Sequence, residues 1–480
     1  MNIGVVAYII GWVLQFEAIF MAFPLITGLI YGEYDCCTAY IISACVCLVT
    51  GYILKRFRKP GADLFLREGF AAVALSWIAL GVFGALPFVI TGEIPNYIDA
   101  LFETVSGLTT TGASILNDVE ALSKSNLFWR SFTHWIGGMG VFVFILAILP
   151  LMGAHSMNLM KAESPGPSVG KLLPKVKDTA FVTYAMYFGL TVACVIALLI
   201  SGMDWFESLT MSFGTMGTGG YGIYNSSAGG FSAAQQIILA VFMTLGGVNY
   251  TAYFLIITKK FKDLFSLEEV KYYLGIIIVS TTVIMINIAH LYKTLGEALR
   301  HAYFQVASII TTAGFSTVDF DTWPQLSKTI LLLLMFVGAC AGSTGGGFKV
   351  SRLLILVKSV RKELRTIIHP RLSKKIYLDG HPVSDETFRS TNAYAAVYIL
   401  LILGSVLLIS VDNLDFTTNF SSVVSAFNNI GPGFAMTGPT HSFACFSPFS
   451  KIVLIFDMLA GRLELFPMLV LFVPSCWRKY

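Results

Sequence analysis

Ten runs of roughly 20 or more mostly apolar residues constrain this chain more than any other feature of its sequence, because each is long enough to cross a bilayer as a helix. They fall at roughly 3–31, 38–54, 70–92, 127–150, 180–202, 233–258, 272–292, 327–357, 392–411 and 449–473. With 55% hydrophobic and 12% charged residues, about half the charge of a soluble domain, the 480 residues cannot build a water-facing surface. A multi-pass membrane protein follows, and nucleic-acid binding is excluded. The first run is too long for a signal peptide and lacks a basic start, so it is expected to remain as a membrane helix. The eight cysteines form no CxxC pair and no metal-ligand spacing and read as small apolar residues.

The scarce charge gives orientation. Segments 55–69, 151–180, 259–272 and 349–391 and the C-terminus hold 25 of the 32 Lys and Arg residues, which marks these loops and both termini as cytoplasmic. The opposite face carries half the acids. Asp99, Glu103, Asp204, Glu207, Asp412 and Asp415 fall at or before the first turns of short semi-apolar segments, where they complement helix dipoles and secondarily attract cations.

Those short segments belong to a repeat. FETVSGLTTTGAS (102–114) and FQVASIITTAGFS (304–316) align without gaps, and SFGTMGTGGYG (212–222) and SAFNNIGPGF (425–434) are looser copies. Their key glycines are Gly112, Gly220, Gly314 and Gly431, with Gly219 an alternative register in the second. Small residues recur on the following helix: Gly137 and Gly138, Gly246 and Gly247, Gly338 to Gly347, and Gly461. Each unit therefore reads as helix, re-entrant helix, glycine loop, helix. Short helices are expected near 97–109, 203–216, 298–311 and 415–428. The fold class is an all-α polytopic membrane protein with four M1-pore helix-M2 repeats around a pseudo-fourfold pore, plus two N-terminal transmembrane helices. Expected boundaries are 1–60 for the N-terminal addition and 61–165, 166–265, 266–375 and 376–480 for the pore repeats.

Irregular backbone survives at membrane depth only where protein buries it or water wets it, so the four loops should converge on a wet axis. Glycine admits positive φ there, and carbonyl oxygens can replace the hydration shell of a monovalent cation. Packing glycines between helices are the alternative, which four occurrences at one place in four units disfavour.

These residues resemble the Trk/Ktr superfamily of potassium uptake proteins over essentially the whole chain. The specific stretches are TTTGAS (109–114), HWIGGMGV (134–141), TGGYG (218–222), TTAGFS (311–316), AGSTGGGFK (341–349), NNIGPGF (428–434) and AGRLELFP (460–467). The resemblance implies K⁺ conduction through four filter loops of one chain, a homodimer, and a cytosolic nucleotide-binding regulator of the TrkA type, in the cell (inner) membrane. Carried onto this sequence, the filter comprises Thr110, Thr111 and Gly112; Thr218, Gly219 and Gly220; Thr312, Ala313 and Gly314; and Asn429, Ile430 and Gly431. The transported K⁺ would be the only ion held, at these residues, and no cofactor is expected on this chain.

Three consecutive glycines rule out a regular helix across Gly338 to Lys349. The resemblance makes Gly342, Ser343, Thr344, Gly345, Gly346, Gly347 and Lys349 an intramembrane gate loop, with a packing kink as the alternative. Phe348 between Gly347 and Lys349, and the lack of a soluble strand before them, exclude a phosphate loop. Arg462, the one base inside a span, matches by the same resemblance an arginine that projects below the filter beside the gate, with a structural salt bridge to Glu464 or Asp457 as the alternative. Glu17 has no assigned role beyond a polar helix contact, and the two N-terminal helices are expected to serve dimer or lipid packing. Segment 358–391, with Arg361, Lys362, Arg365, His369, Arg371, Lys374 and Lys375, is a docking surface for the regulator or an ordinary basic face near anionic membrane lipids. The function expected is gated K⁺ uptake. A K⁺ symporter coupled to H⁺ or Na⁺ is the alternative. A membrane-embedded enzyme is disfavoured because His134, His155, His290, His301 and His441 are scattered without catalytic partners.

Overall fold

Four short helices set the architecture, because 12 to 16 residues rising 1.5 Å each cannot cross about 30 Å of hydrocarbon. The computed structural model describes residues 1–57, 66–140, 176–369 and 375–478. Its N-terminal helices are α1 (Ile3–Phe20), α2 (Ala22–Tyr31) and α3 (Tyr34–Lys55). A first unit follows with α4 (Leu66–Gly84), the short α5 (Tyr97–Leu108) and α6 (Lys124–Met139). The second holds α7 (Val176–Ile200), the short α8 (Trp205–Gly217), α9 (Ala233–Gly246) and α10 (Tyr250–Ile257). The third holds α11 (Glu268–Ile288), the short α12 (Leu295–Ile310), α13 (Gln325–Val337) and α14 (Val350–Ile368). The last holds α15 (Asp385–Ile409), the short α16 (Phe416–Asn428), α17 (Pro448–Arg462) and α18 (Phe466–Val470). One two-residue hairpin, β1 (Tyr377–Leu378) with β2 (His381–Pro382), precedes α15.

The chain is a multi-pass membrane protein, but the expectation of ten continuous spans needs correction. Among the described residues, six helices are long and apolar enough to cross a membrane, and α9 with α10 would make a seventh although they meet at 92°. The second long helix breaks in three units: between Gly246 and Tyr250, between Val337 and Val350, and between Arg462 and Phe466. The sequence pointed to a break only in the third. In the first unit α6 ends at Met139, and the expected continuation over 141–150 lies outside the described residues, as do His155, Arg371 and Lys374.

Small residues explain where these helices press inward. A methyl at Gly137 would collide with the Leu108 carbonyl that ends α5, and one at Gly461 with the Phe427 carbonyl near the end of α16. The N-terminal addition packs on the first unit. Gly11 and Gly51 let α1 and α3 cross backbone to backbone. Glu33 accepts Lys124 N–H at 2.7 Å and Ser125 N–H at 2.9 Å, satisfying the free donors that start α6. Glu17 is buried without a hydrogen-bond partner among the described residues, beside Leu108 and Gly137 in a cavity of about 20 Å³.

Candidate functional site

The short helices all end in the same way. Thr110, Thr218, Thr312 and Asn429 take left-handed φ of 55°, 55°, 60° and 55°. The next residue of each loop donates its N–H five residues back: Thr111 to Ser106 O, Gly219 to Gly214 O and Ala313 to Ser308 O at 2.8 Å, and Ile430 to Ser425 O at 2.9 Å. This is the hydrogen bond of a Schellman helix end, with threonine or asparagine where glycine is usual. A left-handed L-residue costs about 1–2 kcal/mol, and β-branched threonine is an outlier there, so surrounding structure must hold these turns.

Gly112, Gly220, Gly314 and Gly431 follow with φ of 80°, 82°, 79° and 105°. In the second loop the positive φ belongs to Gly220 and not to Gly219. The four glycines close a ring. A methyl at Gly112 would strike Gly219 O, at Gly220 Ala313 O, at Gly314 Ile430 O, and at Gly431 Thr111 O, so each glycine lies against the neighbouring loop and the last returns to the first. Across that seam Asn429 Nδ2 donates to Thr111 Oγ1 at 3.0 Å and to Met458 O at 2.9 Å.

Among the described residues, no donor reaches the carbonyl oxygens of Thr110, Thr111, Gly112, Thr218, Gly219, Gly220, Thr312, Ala313, Gly314, Asn429 or Ile430; only Gly431 O is taken, by Ser425 Oγ at 2.8 Å. Interior carbonyls are nearly always paired, so eleven without a donor around one ring mark a place built for a cation or for water. On one side the glycines floor a vestibule of about 1020 Å³, walled in part by Asn117, Asn225 and Asp321.

The segment Gly338–Lys349 lies against the other side. Gly346 N–H donates to Thr312 Oγ1 at 2.7 Å, and methyls at Gly345 and Gly346 would meet Thr311 O and Asn428 O. Cys340 N–H to Gly247 O and Tyr250 N–H to Gly342 O, both 3.1 Å, tie it to the break between α9 and α10. Glu269 Oε1 accepts Ala341 N–H at 2.7 Å and Ser351 N–H at 3.0 Å, so one buried carboxylate clips the two ends of the segment together. Lys349 Nζ turns back onto Gly345 O.

A family profile described as TrkH, cation transport protein, matches residues 38–479. The chain belongs to the TrkH family. It is 36% identical over 489 residues to the Trk system potassium uptake protein TrkH of Escherichia coli (strain K12), covering 100% of both chains. It is 32% identical to TrkG of the same organism, over 100% of this chain and 99% of that one. The crystal structure of the potassium transporter TrkH from Vibrio parahaemolyticus matches with a TM-score of 0.89 at 32% identity, over 100% of both chains.

Of the two readings of Arg462, the position beside the glycine segment is the one found, and several other residues of this TrkH-family chain stand differently from the sequence reading. Arg462 donates from Nη1 to Thr344 O at 2.9 Å and from Nη2 to Gly137 O, bridging the glycine segment to α6. The acids expected to pair with it are engaged elsewhere: Glu464 with Arg352, and Asp457 as acceptor of Ser405 Oγ at 2.7 Å. Glu103 is not a surface acid at a helix start. It forms a wholly buried ion pair with Arg130 at 2.7 Å and accepts Ile115 N–H at 3.0 Å behind the first loop. Asp99 pairs with Lys451 at 2.6 Å, whereas Asp204 and Asp415 do cap α8 and α16. His134, taken as isolated, is buried between the end of α5 and the second glycine loop. Tyr221 N–H donates to its Nε2 at 3.1 Å and its Nδ1 lies 2.8 Å from Gly107 O, which assigns the proton to Nδ1. Its presence inside HWIGGMGV was the one signal available in the sequence.

Proposed function

We propose that this chain carries K⁺ across the cell (inner) membrane through the ring of four glycine loops, with Thr110 to Gly112, Thr218 to Gly220, Thr312 to Gly314 and Asn429 to Gly431 as its selectivity filter. The observation that supports this reading is the set of eleven carbonyls without donors, oriented by a ring that closes on itself. The four short helices add the negative ends of their dipoles at the same place. A cation stripped of water is favoured there on both grounds. The relatives are potassium uptake proteins by name, which selects K⁺ among alkali cations.

The segment Gly338–Lys349, with Gly342 to Gly347, Lys349 and Arg462, acts in this reading as the gate directly below the filter. Opening it must break the Arg462 and Glu269 contacts, and a cytosolic nucleotide-binding regulator of the TrkA type is the partner proposed to supply that work. Both termini are proposed to be cytoplasmic and the protein a homodimer. The four pore repeats are proposed to occupy 61–165, 166–265, 266–375 and 376–480, behind an N-terminal addition at 1–60. The chain works as a transporter, with K⁺ as cargo and no cofactor.

The test is K⁺ flux in proteoliposomes with and without an imposed proton gradient, and with a nucleotide-loaded regulator. A reversal potential that follows K⁺ alone is expected. A reversal potential that moves with the proton or Na⁺ gradient would establish coupled symport, and failure to move any alkali cation would overturn the reading.

A further inference from the structure

Helix α14 leaves the glycine segment as a buried rod and ends with two exposed stripes. Lys358, Arg361, Lys362 and Arg365 follow a spacing of three, four and seven residues, which places them on one face. Across from them Lys375 and Tyr377 close a cavity of about 270 Å³, with the Thr366 side chain at its edge. Lys358 is neutralised by Glu268 and also donates to Tyr377 O at 2.7 Å. Among the described residues no carboxylate lies within ion-pair distance of Arg361, Lys362, Arg365 or Lys375. The adjacent face of the same helix is apolar and open, with Val360 60%, Leu364 55%, Ile367 76% and Ile368 69% exposed.

Four cations with no carboxylate at ion-pair distance among the described residues, set around a small cavity, call for an anion with several oxygens, and an exposed apolar stripe beside them calls for hydrocarbon. A soluble anion would answer only the first need, and an acidic protein surface would leave the aliphatic stripe in water. We infer that this cavity binds the phosphoryl headgroup of an anionic phospholipid, whose acyl chains lie along Val360, Leu364 and Ile367. Because α14 begins at the Glu269 clip, an occupied cavity also holds the outer half of the helix that anchors the glycine segment. The lipid assignment stands independently of what ion the protein carries.

The full-length protein, purified in zwitterionic detergent, is titrated with phosphatidylglycerol or phosphatidylcholine and followed by native mass spectrometry and thermal unfolding. The wild type is expected to retain phosphatidylglycerol preferentially and to unfold at a higher temperature with it. Arg361→Gln, Arg365→Gln and Lys375→Gln combined should abolish both effects, at roughly fivefold weaker retention per base removed. Arg361→Lys with Arg365→Lys keeps the charge and should preserve them, which separates lost binding from lost folding. Equal retention of phosphatidylglycerol by wild type and the Gln variant overturns the proposal. So does equal stabilisation by inorganic phosphate or pyrophosphate, which would assign the cavity to a soluble anion. A Gln variant that keeps the lipid preference but loses regulator binding would assign the face to the protein partner instead.

Discussion

Asn429 and Thr111, 318 residues apart, are joined by a 3.0 Å hydrogen bond that closes the fourth glycine loop onto the first. Asn429→Ala removes that bond and the one to Met458 O, and it leaves an alanine in a left-handed turn. A loss of about 2–3 kcal/mol is expected from the two bonds, read as earlier thermal unfolding of the purified protein. The K⁺ over Na⁺ flux ratio should fall with it. A stable variant with an unaltered ratio would show that the seam does not hold the ring.

Gly112→Ser places a side chain at φ 80° against the Gly219 carbonyl, so the first and second loops must separate. Na⁺ permeation is expected to rise relative to K⁺. Unchanged flux ratios in liposomes would remove this glycine from selectivity.

Arg462→Ala frees Thr344 O and Gly137 O and takes a positive charge from below the ring. K⁺ flux through regulator-free protein should increase several-fold if each decade of opening corresponds to about 1.4 kcal/mol of lost restraint. Equal flux with a lower unfolding temperature would assign the arginine a purely structural part.

Glu269→Ala deprives the N–H groups of Ala341 and Ser351 of their shared acceptor, at about 1–3 kcal/mol for each donor left buried. Amide hydrogen exchange across 338–355 should accelerate while α12 stays protected. Glu269→Gln, which keeps an acceptor oxygen, should fall between the two. Unaltered exchange in the alanine variant would show that the clip does not hold the segment.

Tyr224, in the loop between α8 and α9, donates to Glu207, and this hydrogen bond, followed by partial burial, pushes its phenol up to about 12. The folded value lies above the ordinary 10.0, so the stabilisation is complete below about pH 10 and lost as pH rises through about 12. The difference in phenolate absorbance between wild type and Tyr224→Phe should titrate near the higher value; titration near 10 would mean the bond is absent in solution.

The order of long helix, short helix and glycine loop was legible because each part has a local signature. Apolar length separates spanning from re-entrant helices, and a glycine after Thr-Thr, Gly, Ala or Ile marks the turn. The breaks after Gly246 and Arg462 were not legible. A glycine or arginine in an apolar run looks the same whether the helix continues or bends, and the bends appear only in the folded chain, as the 92° angle between α9 and α10 and the positive φ of Glu464 and Leu465.

Sequence alone therefore determined that this chain enters the membrane many times, which loops carry the basic charge, and where four glycine turns interrupt the apolar pattern. Tertiary structure alone decided that Gly220 and not Gly219 makes the second turn, that Arg130 lies buried on Glu103, that Arg462 holds two carbonyls, and that Glu269 clips the glycine segment. The physical reason is range. Hydrophobicity and backbone preference act over a few residues and can be read in order along the chain. Hydrogen-bond partners for buried polar groups are chosen by what the completed packing brings within about 3 Å, which sequence separation does not reveal.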